Sequence, residues 1–127
     1  KLDKLDKFIE KLNNKKIILK IMQDRQNIED LELLHSNLKK IFTTLGKNVD
    51  IYEIGTTINR AKWGFFSVDE YSKFYKTAYD LKETCFKDLK LMGSSVIDFE
   101  YHFTAHTLFN FFDYKYDAIS SLLYVDR

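Results

Sequence analysis

The stretch SVIDFEYHFTAHTLFNFFDYKYDAISSLLY, residues 95–124, decides how this chain is read. It holds nine of the twenty aromatic side chains: Phe99, Tyr101, Phe103, Phe109, Phe111, Phe112, Tyr114, Tyr116 and Tyr124. Apolar residues fall on nearly every side of a helix drawn through it, which marks a central or interface element rather than a surface one. Asp98 falls in the first turn of such a helix, and Asp113 and Asp117 mark its solvated side. An element apolar all round has to be wrapped by its neighbours or shared with another chain.

Upstream, Ser67 followed by Glu70 is a capping-box signature. Tyr71, Phe74, Tyr75, Ala78, Leu81, Cys85, Leu89 and Met92 then carry a helical period to Gly93, a residue suited to closing a helix. The helices expected over 67–92 and 95–120 are separated by two or three residues, which makes them antiparallel neighbours. A third helix is expected to start near Asn27, with Leu31, Leu34, Leu38, Ile41 and Leu45 as a narrow packing seam. Gly46 would give its left-handed cap, with Lys39, Lys40 and Lys47 near the carbonyl end.

Two segments read both ways. Ile51 and Ile54 fit a short strand with Val49 or a short helix with Ile58 and Ala61, and a short helix ending in an irregular connection is preferred. Leu2, Leu5, Phe8, Ile9 and Leu12 have helical spacing, after which Asn13 and Asn14 suit a break. The run from Ile17 to Met22 fits a buried strand as well as a helix. Helix is preferred there, because no second convincing strand is in view to pair with it. The expected fold is an all-α compact bundle of four to six helices, centred on the antiparallel pair and forming one domain over residues 1–127.

Composition agrees with a folded domain: 45% hydrophobic and 31% charged residues exclude wholesale disorder. Four glycines and no proline leave few breakers, which favours long helices. A formal net charge of +1 makes the whole molecule a poor electrostatic partner for nucleic acid. Charge is uneven, with 13 basic and 9 acidic residues up to Lys62 against 7 and 10 after it. The basic excess lies in Lys1, Lys4, Lys7, Lys11, Lys15, Lys16 and Lys20, interrupted by Asp3, Asp6 and Glu10 in the manner of a solvated helix face. One cysteine, Cys85, rules out an internal disulfide and favours a reducing, cytoplasmic setting. No apolar run is long enough to span a bilayer, and no signal-peptide pattern is expected at the start.

Three sets of residues carry candidate chemistry. His102 and His106 share a helix face at four-residue spacing, with Asp98 one turn earlier, the arrangement by which two imidazoles reach one metal ion. Without the glutamate that follows the first histidine in zinc proteases, the competing reading is a pair of hydrogen-bonded histidines at a core margin. Cys85 lies on an apolar stripe and reads as a small buried hydrophobe, unless the expected hairpin brings it to His102 as a nucleophile. Trp63, Phe65 and Phe66 beside Arg60 and Lys62 form a compact cluster just before the Ser67 cap. It reads either as a staple, with Phe66 packed on Tyr71, or as a partner-contacting patch of hot-spot composition.

The functional expectation is a non-enzymatic protein-binding module of the inhibitor, immunity or adaptor type, which acts by covering a partner's surface and needs no cofactor. Its rivals are a metal-dependent enzyme built on His102, His106 and Asp98, and nucleic-acid binding through the lysine-rich start. The expected partner is a protein, with a homo-oligomer as an alternative and no membrane involved.

Overall fold

A computed structural model describes residues 1–12, 14–46 and 48–122, and of Ser94 the backbone alone. Asn13, Lys47 and Tyr124, which entered the reading above, lie outside the described residues. The fold is α/β, not an all-α bundle. Helix α1 (Leu2–Glu10) leads to strand β1 (Ile18–Ile21); α2 (Arg25–Glu29) and α3 (Leu31–Leu45) lead to β2 (Ile51–Ile54). Then come α4 (Val68–Cys85), β3 (Leu91–Ile97), α5 (Tyr101–Leu108) and β4 (Ala118–Leu122). The four strands form one sheet in the order β1-β2-β3-β4, and every pairing is parallel.

Both ambiguous segments are strands, and they pair with each other: Ile18 lies against Ile51 and Ile21 against Ile54. Only one side of β1 is covered: Leu19 and Ile21 are half-buried, while Ile18 and Lys20 are exposed. The central pair of helices does not exist as expected. Helix α4 stops at Cys85, where Phe86 leaves helical geometry (φ −139°, ψ 52°). The residues thought to end it, Leu91, Met92 and Gly93, open β3 instead. Glycine, two serines, valine and isoleucine at 93–97 are poor helix formers and suit a strand.

The aromatic stretch divides into the end of β3, the eight-residue α5, an irregular segment and β4. Left-handed backbone at Asp98 (φ 62°), Phe99 (φ 57°) and Asp113 (φ 52°) interrupts any single helix through it. Helix α3 follows its expected period, but Asp30 caps it through Leu33 N, and Asp24 rather than Asn27 caps α2. Gly46 is right-handed (φ −51°), not a left-handed cap. The Ser67 cap is present, its Oγ accepting from Glu70 N at 3.1 Å.

The helices lie along one face of the sheet. Helix α3 packs on α4, α4 on α5, and α1 on α3. Leu34, Leu38, Phe42 and Leu45 of α3 and Tyr71, Phe74, Tyr75, Ala78 and Leu81 of α4 are buried against Tyr52, Ile54, Leu91 and Val96 of the strands. Tyr114 and Tyr116, from the aromatic stretch, join Tyr75 at centroid separations of 4.8 and 4.7 Å. Tyr116 lies against Gly93, where a Cβ would come within 2.7 Å of its ring.

Candidate functional site

Alternation along the strands sends the other side chains to the face without helices: Ile18, Lys20, Ile51, Glu53, Met92 and Ser120. The middle of this face is polar. Glu53 Oε2 pairs with Lys20 Nζ at 3.2 Å, and Glu53 Oε1 accepts from Ser120 Oγ at 2.9 Å and from Ser95 N at 3.2 Å. The irregular register of β3 between Gly93 and Val96 is what turns the Ser95 amide toward Glu53. Glu53 is only 5% exposed.

The carboxyl ends of the strands carry most of the remaining polar structure. Gln23, after β1, donates from Nε2 to Thr56 O (2.8 Å) and Trp63 O (2.7 Å) and accepts from Thr56 N (2.8 Å). The buried Thr56 and Thr57 hydroxyls lie 3.2 Å apart, with Ser95 Oγ 3.3 Å from Thr56 Oγ1. Asn59 clamps the end of β3, accepting from Ile97 N (3.1 Å) and donating to Ile97 O (2.8 Å) and to Glu100 (2.9 Å). Arg60 holds Glu100 at 3.0 Å and also pairs with Asp98. The Arg60 hydrogen bond, then that of Asn59, draws the Glu100 carboxyl below its ordinary value. Three non-glycine residues with positive φ cluster at these ends: Thr57 (49°), Asp98 and Phe99. A β-branched residue there is strained, and such strain gathers where a site over-determines its backbone.

The cluster at residues 60–66 is divided by its geometry. Phe65 is 2% exposed and meets Tyr71 and Phe74 edge-on at 5.4 and 5.3 Å, so it is the plug. Phe66 is 68% exposed and does not fill the staple position; the Arg25 guanidinium lies 4.4 Å above its ring. Trp63 is exposed with Lys62 beside it, while Arg60 is committed to Asp98 and Glu100. The separation follows from Gly64, whose φ of 114° turns Phe65 inward and leaves its neighbours outside.

His102 and His106 lie on α5 with ring centroids 6.4 Å apart, and Asp98 is taken by Arg60. Among the described residues no group of three histidine, cysteine or acidic side chains comes together in a way that could hold a metal. Cys85 is exposed, not buried, at the end of α4, near the start of β3, whereas His102 follows the end of that seven-residue strand. A seven-residue strand is roughly 23 Å long, so the two sit at opposite ends of the sheet.

Sequence reasoning missed Lys20, Glu53, Ser95 and Ser120 because their meeting depends on strand pairing. The one local signal was a carboxylate inside the apolar run Ile51-Tyr52-Glu53-Ile54. No described helix is long and apolar enough to cross a membrane. No family model matches the chain, and neither the curated proteins nor the solved structures contain a match to it.

Proposed function

We propose that this chain is a non-enzymatic protein-association module that uses the helix-free face and free edges of its sheet. The supporting observation is one-sidedness: helices pack on a single face, and Ile18 on the other is 58% exposed. Strands β1 and β4 each have one parallel neighbour among the described residues, so each presents an unpaired row of backbone groups. The exposed rings of Phe109 and Phe111 after α5 add apolar surface of the kind that partners cover. The cytoplasm is the compartment we propose, on the single unpaired cysteine.

Light scattering across a dilution series, with a fluorescent reporter of exposed apolar surface, tests this reading. Association that removes reporter binding is expected. A monomer with a cooperative melt and no reporter binding at any concentration would overturn it.

A second reading has its own observation. In parallel α/β folds ligands bind beyond the carboxyl ends of the strands, where Thr57, Asp98 and Phe99 hold strained backbone. A polar small molecule held there would meet Asn59, Arg60 and Glu100. Resonance shifts confined to these residues, in titrations with small polyhydroxylated and anionic compounds, would support it; none across such a panel would end it.

A further inference from the structure

A cleft of about 920 Å³ lies on the helix side of the sheet, just ahead of β2 and β3. That volume is within the range of sites that hold small molecules. Helix α1 gives the cleft Asp6 and Glu10, and the turn after α4 gives it Asp88. None of these carboxylates takes part in an ion pair among the described residues. Lys87 is the one basic side chain of the described lining. Two helices also end here, α3 at Leu45 with Gly46 in the lining, and α4 at Cys85. Each carboxyl end adds roughly half a negative charge. Phe42, Val49 and Leu89 make the buried, apolar part of the lining.

A second observation falls at the same place. Tyr52 is fully buried, and its hydroxyl has no hydrogen-bond partner among the described residues. Burying such a group unpaired is costly. Its ring stands one layer deeper than the lining, edge-on to Phe42 at 4.9 Å, and Phe42 in turn meets Phe86 at 5.7 Å. Asp6, in the wall of the cleft, is the charged group that acts on the phenol, so the hydroxyl is turned toward that wall. Burial first, and then Asp6, pushes the phenol above its ordinary value. It therefore stays a hydroxyl, able to accept a hydrogen bond. A ligand reaches it by shifting a side chain of the lining, an adjustment that binding commonly brings.

We infer that this cleft binds an organic ammonium ion, an alkyl or arylalkyl amine in its charged form. The nitrogen sits beside Asp6 and donates to the Tyr52 hydroxyl, while Glu10, Asp88 and the two helix ends add negative potential around it. The hydrocarbon part lies on the apolar lining, where the rings of Phe42 and Phe86 also attract a cation. A metal ion suits the place less well, because among the described residues no three acidic, histidine or cysteine side chains converge as ligands. An anion would face the carboxylates. The site is separate from the association surface, since it lies on the opposite side of the sheet from the helix-free face.

Benzylammonium is the probe, with benzyl alcohol as its neutral and benzoate as its anionic counterpart. Two signals report on the cleft. One is the NMR shifts of Thr43, Thr44 and Asn48; the other is alkylation by the neutral reagent iodoacetamide of Cys85, the single cysteine and part of the lining. Benzylammonium should give saturable shifts at these residues, and alkylation should slow in step with them. Benzyl alcohol should bind at least about tenfold more weakly, the worth of one charge-assisted contact, and benzoate should not bind. Tyr52→Phe should weaken benzylammonium about tenfold. The free variant should melt no lower than the parent, because the hydroxyl it loses has no partner there. Asp88→Asn, at an exposed position, should weaken binding several-fold. Absence of saturable shifts, or benzyl alcohol or benzoate binding as well as the amine, would overturn the site. So would a Tyr52→Phe protein that binds as tightly as the parent, or one that melts lower without ligand, since the hydroxyl would then serve the fold. Each of these failures leaves the association reading standing.

Discussion

Ser120 on β4 donates a 2.9 Å hydrogen bond to Glu53 on β2, reaching across the strand that separates them. Lys20 on β1 reaches the same carboxylate from the other side at 3.2 Å, and Ser95 of β3 adds its amide. One side chain thus receives donors from all three other strands. Replacing Glu53 with alanine should cost about 1–3 kcal/mol in urea denaturation, because the Ser95 amide and the Lys20 ammonium lose their acceptor. Glu53→Gln should lose less, since its carbonyl oxygen still accepts. Equal stability in all three proteins would refute this role.

Gly93 leaves room for the Tyr116 ring, which is also held by Tyr71 OH at 3.4 Å and by packing on Tyr75. Gly93→Ala should destabilise by about 1–3 kcal/mol through overpacking. Pairing it with Tyr116→Leu should give less than the sum of the two single losses. Strict additivity in a double-mutant cycle would show that the two do not meet.

Neighbouring phenylalanines should respond differently. Phe65→Ala should lose about 3–5 kcal/mol, the cost of emptying a buried aromatic site. Phe66→Ala removes only a ring stacked under Arg25 and should change stability by less than about 1 kcal/mol. Thermal melts of the two variants decide the matter, and a reversal of their order would mean that the inward ring has been misassigned.

Acid should act partly through Glu70. Two hydrogen bonds from Arg25, at 2.9 Å each, and one from Phe66 N at 2.8 Å stabilise its ionised form. The Arg25 bonds come first among the causes that hold its carboxyl below the ordinary 4.5. A depressed carboxyl stabilises the fold fully above its unfolded value and loses that contribution as pH falls through the folded one. Stability should therefore decline below about pH 4.5, and Glu70→Gln should make that decline shallower. An unchanged acid limb would remove the pair from the account.

The helices were legible where their instructions were local. The Leu31–Leu45 seam repeats from turn to turn of one helix and the Ser67–Glu70 cap lies within a single turn, and both α3 and the start of α4 follow them. The strands were not, because β1 is identified by a partner that begins 33 residues away, without a hairpin turn to announce it. Residues 17–22 lack a strand to pair with only while Ile51–Ile54 is read as helix, and these two segments are each other's partners. The aromatic stretch misled for a different reason. Its rings do serve the core, through Tyr114 and Tyr116, but from an irregular segment rather than a helix. For the candidate site, the distinction between Phe65 and Phe66 depended on one left-handed glycine, a detail the composition of the cluster did not carry.

The wide spacing between paired strands also sets a timetable. Ile21 leaves the ribosome 33 residues ahead of Ile54, the residue it pairs with. At synthesis rates of about 5–20 residues per second, the first strand waits about 2–7 s without its neighbour. During that interval Ile17, Ile18, Leu19 and Ile21 are a sticky, uncommitted segment. Lys15 and Lys16 just before it and Lys20 within it then act as gatekeepers that keep it from pairing with another nascent chain.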